Sequence, residues 1–106
     1  MNNKISIAVN ILDVSDVNDI YTGISNIFGD KCRITPISSN YTAAYLINCK
    51  YDTELEYRDA IINLVSICSN NEISADYREL VDMIDFDNRS TWTIPTNKTL
   101  ISIYID

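Results

Sequence analysis

Histidine and glutamine are both absent from this 106-residue chain. Without histidine there is no Ser-His-Asp triad, no Cys-His nucleophile pair and no imidazole ligand for a metal. Glycine and proline occur twice each, so loops are expected to be few and short, and glycine-rich loops that let backbone amides approach a phosphate are missing. The longest uninterrupted apolar stretch, Ala43 to Ile47, is far short of the roughly 18 residues that a spanning helix needs. The first residues, Met1-Asn2-Asn3-Lys4, lead straight into alternating apolar and polar positions rather than a basic region followed by an apolar one. No signal peptide is expected, and a cytoplasmic location is. Bases are scarce too. Eight Lys and Arg stand against 15 Asp and Glu, a net charge of −7. That balance argues against direct contact with nucleic acid phosphates or anionic membranes, both of which call for an excess of bases.

What is present reads as one globular domain over residues 1–106. Its length suits a single core, and its 46% apolar content is too high for a disordered chain. Cys32, Cys49 and Cys68 are odd in number and lack a Cys-x-x-Cys spacing, so buried thiols are expected rather than a disulfide. Triplets of the Asn-x-Ser/Thr kind at Asn40, Asn88 and Asn97 are read as chance among 12 asparagines. Eighteen isoleucines beside those asparagines point to an AT-rich gene, of a sort frequent in mobile bacterial or phage cassettes.

The pattern along the chain alternates strands and helices. Ile5, Ile7, Val9 and Ile11 repeat every second residue and mark a strand with one buried face. Asp13 to Asp16 is a helix-start signal. Val17, Ile20, Tyr21, Ile24, Ile27 and Phe28 then form the stripe of a helix of about fourteen residues, with Gly29 expected to end it in the left-handed C′ position. Lys31–Ile37 reads as a strand that should lie at an edge or end at Pro36, which removes a ladder donor. Tyr41–Tyr51 reads as a long strand with an apolar odd face. Thr53-Glu54-Leu55-Glu56 matches a capping box, and the helix it opens carries Tyr57, Ile61, Leu64, Val65 and Cys68 before ending near Asn70-Asn71. Ser74 opens a third helix, with Tyr77, Leu80, Val81 and Ile84 as its apolar positions. Residues 86–89 break it. Ser90–Ile94, a turn at residues 95–98, and Thr99–Ile105 close the chain as a hairpin. The predicted class is α+β: an antiparallel or mixed sheet of about five strands, two or three helices on one face, and the order β-α-β-β-α-α-β-β. Its first five elements follow the ferredoxin-like order, which does not choose a function.

The acids are unevenly placed. Residues 52–87 hold ten acids and two bases, a balance of −8, whereas the rest of the chain holds five acids and six bases, +1. Glu72, Asp76, Glu79, Asp82 and Asp85 recur every three or four residues, and like charges so spaced destabilise a helix by roughly 0.2–0.5 kcal/mol per pair. Such a face attracts a basic partner and speeds encounter; the plainer alternative is a solvated surface that keeps a small protein soluble. The expected partner-binding residues are Glu72, Asp76, Glu79, Asp82, Asp85 and Asp87, with Tyr77 and Trp92 as anchors. For each aromatic, including Tyr21, Tyr45 and Tyr57, core packing is the competing role. Asp85-Phe86-Asp87-Asn88 resembles the start of a calcium loop, but Arg89 stands where a ligand belongs and no Gly or closing Glu follows. No metal, cofactor or catalytic residue is expected.

In general profile the chain is similar to bacterial immunity proteins: small, single-domain, lacking histidine and acidic on one segment. No residue motif carries that similarity. It implies a binding protein rather than an enzyme, one that neutralises a cognate nuclease-type toxin domain in the cell. A phage-encoded inhibitor of a defence nuclease, acting as a DNA mimic, would use the same surface. A small ligand-binding regulatory domain suits the element order as well. A homodimer through an exposed sheet edge is compatible with all three.

Overall fold

A computed structural model describes residues 4–38, 43–70 and 74–106. The elements run β1 (Ile5–Ile11), a 3-10 turn (Val14–Asp16), α1 (Val17–Phe28), β2 (Cys32–Ser38), β3 (Ala43–Cys49), α2 (Glu54–Cys68), α3 (Ala75–Asp82), β4 (Ser90–Pro95) and β5 (Thr99–Ile105). The class is α+β, in the order expected. The five strands form one sheet, β2-β3-β1-β5-β4, and every neighbouring pair is antiparallel. The ferredoxin-like start therefore extends through β5, which takes the place beside β1. The added strand, β4, lies outside it at the edge.

β1 is the central strand, paired on both edges, with its isoleucines on the one buried face. Ile7 is opposite Ile47 of β3 and Ile103 of β5, and all three are fully buried. The odd positions of β1, β3 and β5 face the helices, and α1, α2 and α3 supply Ile24, Phe28, Ile61, Leu64 and Val81 to the same core. Alternation with period two thus becomes one buried sheet face. The opposite face carries Ser6, Ala8, Asn10, Leu46, Leu100 and Tyr104, none of them fully buried.

Local signals explain most of the boundaries. Asp13 accepts the Ser15 amide at the start of the 3-10 turn, Thr53 accepts the Glu56 amide and Ser74 accepts the Tyr77 amide, each satisfying a donor that the first turn leaves free. Thr53 and Glu56 form only part of a capping box. The Glu56 carboxylate accepts the Thr53 hydroxyl at 3.1 Å. Pro36 lies on β2, an edge strand, as its missing donor requires.

The structure corrects several expectations. The first helix is 12 residues long, with the 3-10 turn ahead of it. Gly29 is right-handed (φ −57°), its amide still bonding to Ser25, so it serves no left-handed cap; the left-handed residue after a helix is Asn70 (φ 57°). Tyr21 is 46% exposed, since it sits at the flank of the α1 stripe and lays its ring against Tyr45, centroids 5.1 Å apart. Leu80 is likewise exposed. β3 spans Ala43–Cys49, and Tyr41 and Asn71, expected at its start and at the end of α2, lie outside the described residues. All three cysteines are free thiols, Cys49 and Cys68 buried and Cys32 half-buried.

Candidate functional site

In α3 Tyr77 and Val81 turn inward, Tyr77 half-buried and Val81 buried, and Ile84, two residues past the helix, is buried as well. The outer side then presents Asp76, Glu79 and Asp82, all exposed. Leu80 of the helix and Met83 just after it are 40% and 59% exposed. None of Asp76, Glu79, Asp82 or Asp87 makes an ion pair among the described residues. α3 ends at Asp82, so Asp85 does not continue the helical series. Its carboxylate accepts the Asp87 amide at 3.0 Å and the Asn88 side-chain amide. These two bonds, the backbone one foremost, hold the Asp85 carboxyl below the usual carboxylate range.

Two groups beneath the surface set this segment in place. Phe86 is fully buried, stacked on Tyr57 of α2 with centroids 5.8 Å apart. Arg58, also on α2, donates to the carbonyls of Val81 and Ile84 and lies 4.9 Å from the Phe86 ring centre. Of the residues expected to bind a partner, Asp76, Glu79 and Asp82 share one exposed helix surface, with Asp85 and Asp87 on the loop that follows. Glu72 lies outside the described residues. Trp92 belongs to the edge strand β4, half-buried, with its indole N–H donating to Ser90 at 2.9 Å. Tyr77 and Trp92 both pack against the core.

A second site was not anticipated. A cleft of about 670 Å3 opens at the sheet end where β1 starts, β2 starts and β3 finishes. Lys4, Lys31, Arg33 and Lys50 line it, and no carboxylate does. Those four are half of the eight bases in the chain. Lys31 lies 3.4 Å from Glu56; Lys4, Arg33 and Lys50 have no ion partner among the described residues. Ser6, Asn48 and Arg33 are in register across β1, β3 and β2. The Ser6 hydroxyl donates to Asn48 Oδ1 at 2.8 Å.

The far wall of the cleft is Tyr51, Tyr57, Ile5 and Cys49. Tyr57 accepts the Tyr51 amide and donates to the Cys49 carbonyl, at 3.1 and 2.9 Å, and the two rings meet edge to face at 4.9 Å. Beside the cleft, sharing Lys31 and Tyr51, runs a groove of about 500 Å3 between α1 and α2 with Asp30, Glu56 and Asp59 on its rim. Among the described residues no cluster of Cys, Asp and Glu is placed to hold a metal ion.

Three strand ends of different sequence position build the basic cleft, which is why charge counting along the chain missed it. A usable signal was present. The strand order of a ferredoxin-like sheet brings the starts of β1 and β2 and the end of β3 to one side, and each of those ends carries a base.

Cys32 and Cys49 face each other across β2 and β3. Burial, and then the neighbouring Cys32, pushes the Cys49 thiol well up. Burial does the same for Cys68, against a lowering hydrogen bond from Thr99. A thiol held protonated is a poor nucleophile. In the native protein at pH 8, Cys49 and Cys68 should therefore react with an aromatic disulfide reagent at least tenfold more slowly than in urea, with Cys32 modified first. Equal rates for all three would contradict the arrangement. The pH dependence has a definite sign. The folded state keeps protons that the unfolded chain releases, so stability is intact below the unfolded thiol value of about 8.5. It declines as pH rises from there toward the raised folded values.

No family model matches the chain, and no curated protein or solved structure matches it either.

Proposed function

We propose that this chain is a small acidic binding protein that inhibits a basic protein partner through α3 and the loop at residues 85–89, in the way an immunity protein neutralises a nuclease-type toxin domain. The observation that carries this reading is the exposed outer surface of α3. Asp76, Glu79 and Asp82 have no ion partner there among the described residues, and Leu80 and Met83 of the same segment are exposed. Unpaired acids steer a cationic partner and select against wrong ones. Exposed Met and Leu on the same segment supply the apolar contact that charge alone does not. The absence of histidine and the burial of the Cys49 and Cys68 thiols support a binding role over catalysis. Three free cysteines suit the reducing cytoplasm, the location proposed.

The test uses a basic nuclease domain encoded beside this chain's gene. The chain should bind it, suppress its nuclease activity and lose affinity as salt rises. Reversing two charges, Glu79→Lys with Asp82→Lys, should weaken binding by at least a hundredfold, in line with like-charge costs of several kcal/mol at an interface. Unchanged affinity would sink the acidic-face reading. The DNA-mimic alternative uses the same surface, and inhibition of a phage-defence nuclease with no effect on a neighbouring toxin would favour it.

A further inference from the structure

We propose that the basic cleft at the ends of β1, β2 and β3 binds a phosphorylated small molecule of about mononucleotide size. In a chain of net charge −7, half of the bases surround one cavity that no carboxylate lines. Cations brought together repel one another, and an anion between them relieves that repulsion. A cleft of one sign also concentrates counter-charged ligands. Four positive charges, one of them shared with Glu56 at 3.4 Å, call for more than a single carboxylate. A phosphomonoester brings a charge of about −1.5 to −2 and three acceptor oxygens. Arg33 offers a planar fork that matches two of those oxygens, and lysines serve as mobile point charges. Asn48 accepts the Ser6 hydroxyl through Oδ1, which leaves its amide nitrogen, unpartnered among the described residues, as a neutral donor in the same row as Arg33.

Size and lining argue for an organic group as well as a phosphate. The cleft, about 670 Å3, falls within the roughly 300–1,000 Å3 of small-molecule sites, and inorganic phosphate would occupy a minor part of it. Beside the bases the apolar lining is the half-buried ring of Tyr51, with Tyr57, Ile5 and Cys49 buried behind it, and one accessible ring edge is enough for a planar group to lie against. A long polyanion is disfavoured, because the groove adjoining the cleft carries Asp30, Glu56 and Asp59. The cleft shares no lining residue with α3 or residues 85–89, so the inference stands apart from partner docking.

The experiment is an amide NMR titration of the full chain at low salt with purine and pyrimidine nucleoside monophosphates, pyridoxal phosphate and a sugar phosphate, beside the unphosphorylated compounds and inorganic phosphate. At least one phosphomonoester should give saturable shifts centred on Ser6, Arg33, Asn48 and Tyr51. Arg33→Gln with Lys50→Gln should weaken that binding by at least tenfold, the loss expected for charge-assisted phosphate bonds, while leaving the melting temperature unchanged, since both side chains are exposed. Absence of saturable shifts with every phosphomonoester, on the order of 10 mM, would overturn the proposal. So would equal affinity in the double variant. Inorganic phosphate binding as tightly as the best phosphomonoester would overturn its organic part.

Discussion

Phe86→Ala should lower the free energy of unfolding by about 3–5 kcal/mol, the usual cost of removing a fully buried aromatic ring. The ring has no exposed surface, and it is the wedge that joins the loop at residues 83–89 to α2. It stacks on Tyr57 at 5.8 Å and 28° and carries the Arg58 guanidinium on its face at 4.9 Å. Truncation removes the buried area and leaves a cavity under a loop that has little else to close it, with Ile84 and Val81 as the neighbouring buried residues of the segment. Domains of this size have about 5–15 kcal/mol in all, so the variant should be close to unfolding at 37 °C. Urea titration followed by circular dichroism measures the effect, with an unchanged slope and a lowered midpoint. Phe86→Leu should lose less, because most of the apolar volume stays. A loss below about 1 kcal/mol for Phe86→Ala would mean that water, not protein, surrounds the ring. Tyr57 also walls the basic cleft and bonds to Tyr51 and Cys49, so phosphomonoester binding should weaken with the fold in Phe86→Ala.

The same residue shows where the sequence was silent. Asp85-Phe86-Asp87-Asn88-Arg89 has charged or amide neighbours on every side, and period arguments take a lone aromatic there as loop. Its burial depends on Tyr57 and Arg58, nearly thirty residues earlier, which no local pattern contains. By contrast β1 and β5 were legible to the residue, Ile5–Ile11 and Thr99–Ile105. Alternating isoleucines state which face is buried, and a slip of one residue would turn them all to solvent. Caps were legible for an equally local reason, as Thr53 and Ser74 show, because the acceptor and the amide it serves lie three residues apart. Gly29 and Tyr21 failed at the edge of such rules. A glycine after a helix permits a left-handed turn without requiring one, and a flank position on a helix is buried only if a neighbour covers it. The acidic series was half legible. Asp76, Glu79 and Asp82 share a surface because the helix extends through them, but the helix ends before Asp85. The basic cleft needed the strand order, a non-local property, before its four bases could be seen as neighbours.

Arg58 was counted in the sequence as one of two bases in an acidic stretch, and its position makes the second strong prediction. Its Nη1 and Nη2 donate to the carbonyls of Val81 and Ile84, the latter at 2.7 Å, and Glu54 lies 3.7 Å from Nη2. The last carbonyls of a helix have no partner within it, and an eight-residue helix such as α3 is too short to persist alone in water. Arg58 therefore serves as an external cap that clamps α3 to α2. Arg58→Ala should cost about 2–3 kcal/mol, less than two full charged hydrogen bonds because water can reach part of the site. Arg58→Lys should recover under half, since one ammonium cannot span two carbonyls as a guanidinium does. Hydrogen exchange should locate the loss. The Met83 and Ile84 amides, bonded to Glu79 and Val81, should open well before those of β1 and β5. The effect on partner binding separates two accounts of the acidic surface. If the surface acted through net charge alone, removing a base beside it would raise affinity for a basic partner. If it acts through the fixed spacing of Asp76, Glu79 and Asp82, releasing α3 should lower affinity despite the added negative charge. Lower affinity in Arg58→Ala, restored in part by Arg58→Lys, is the expected result; an increase would show that position is irrelevant and that any acidic surface would do.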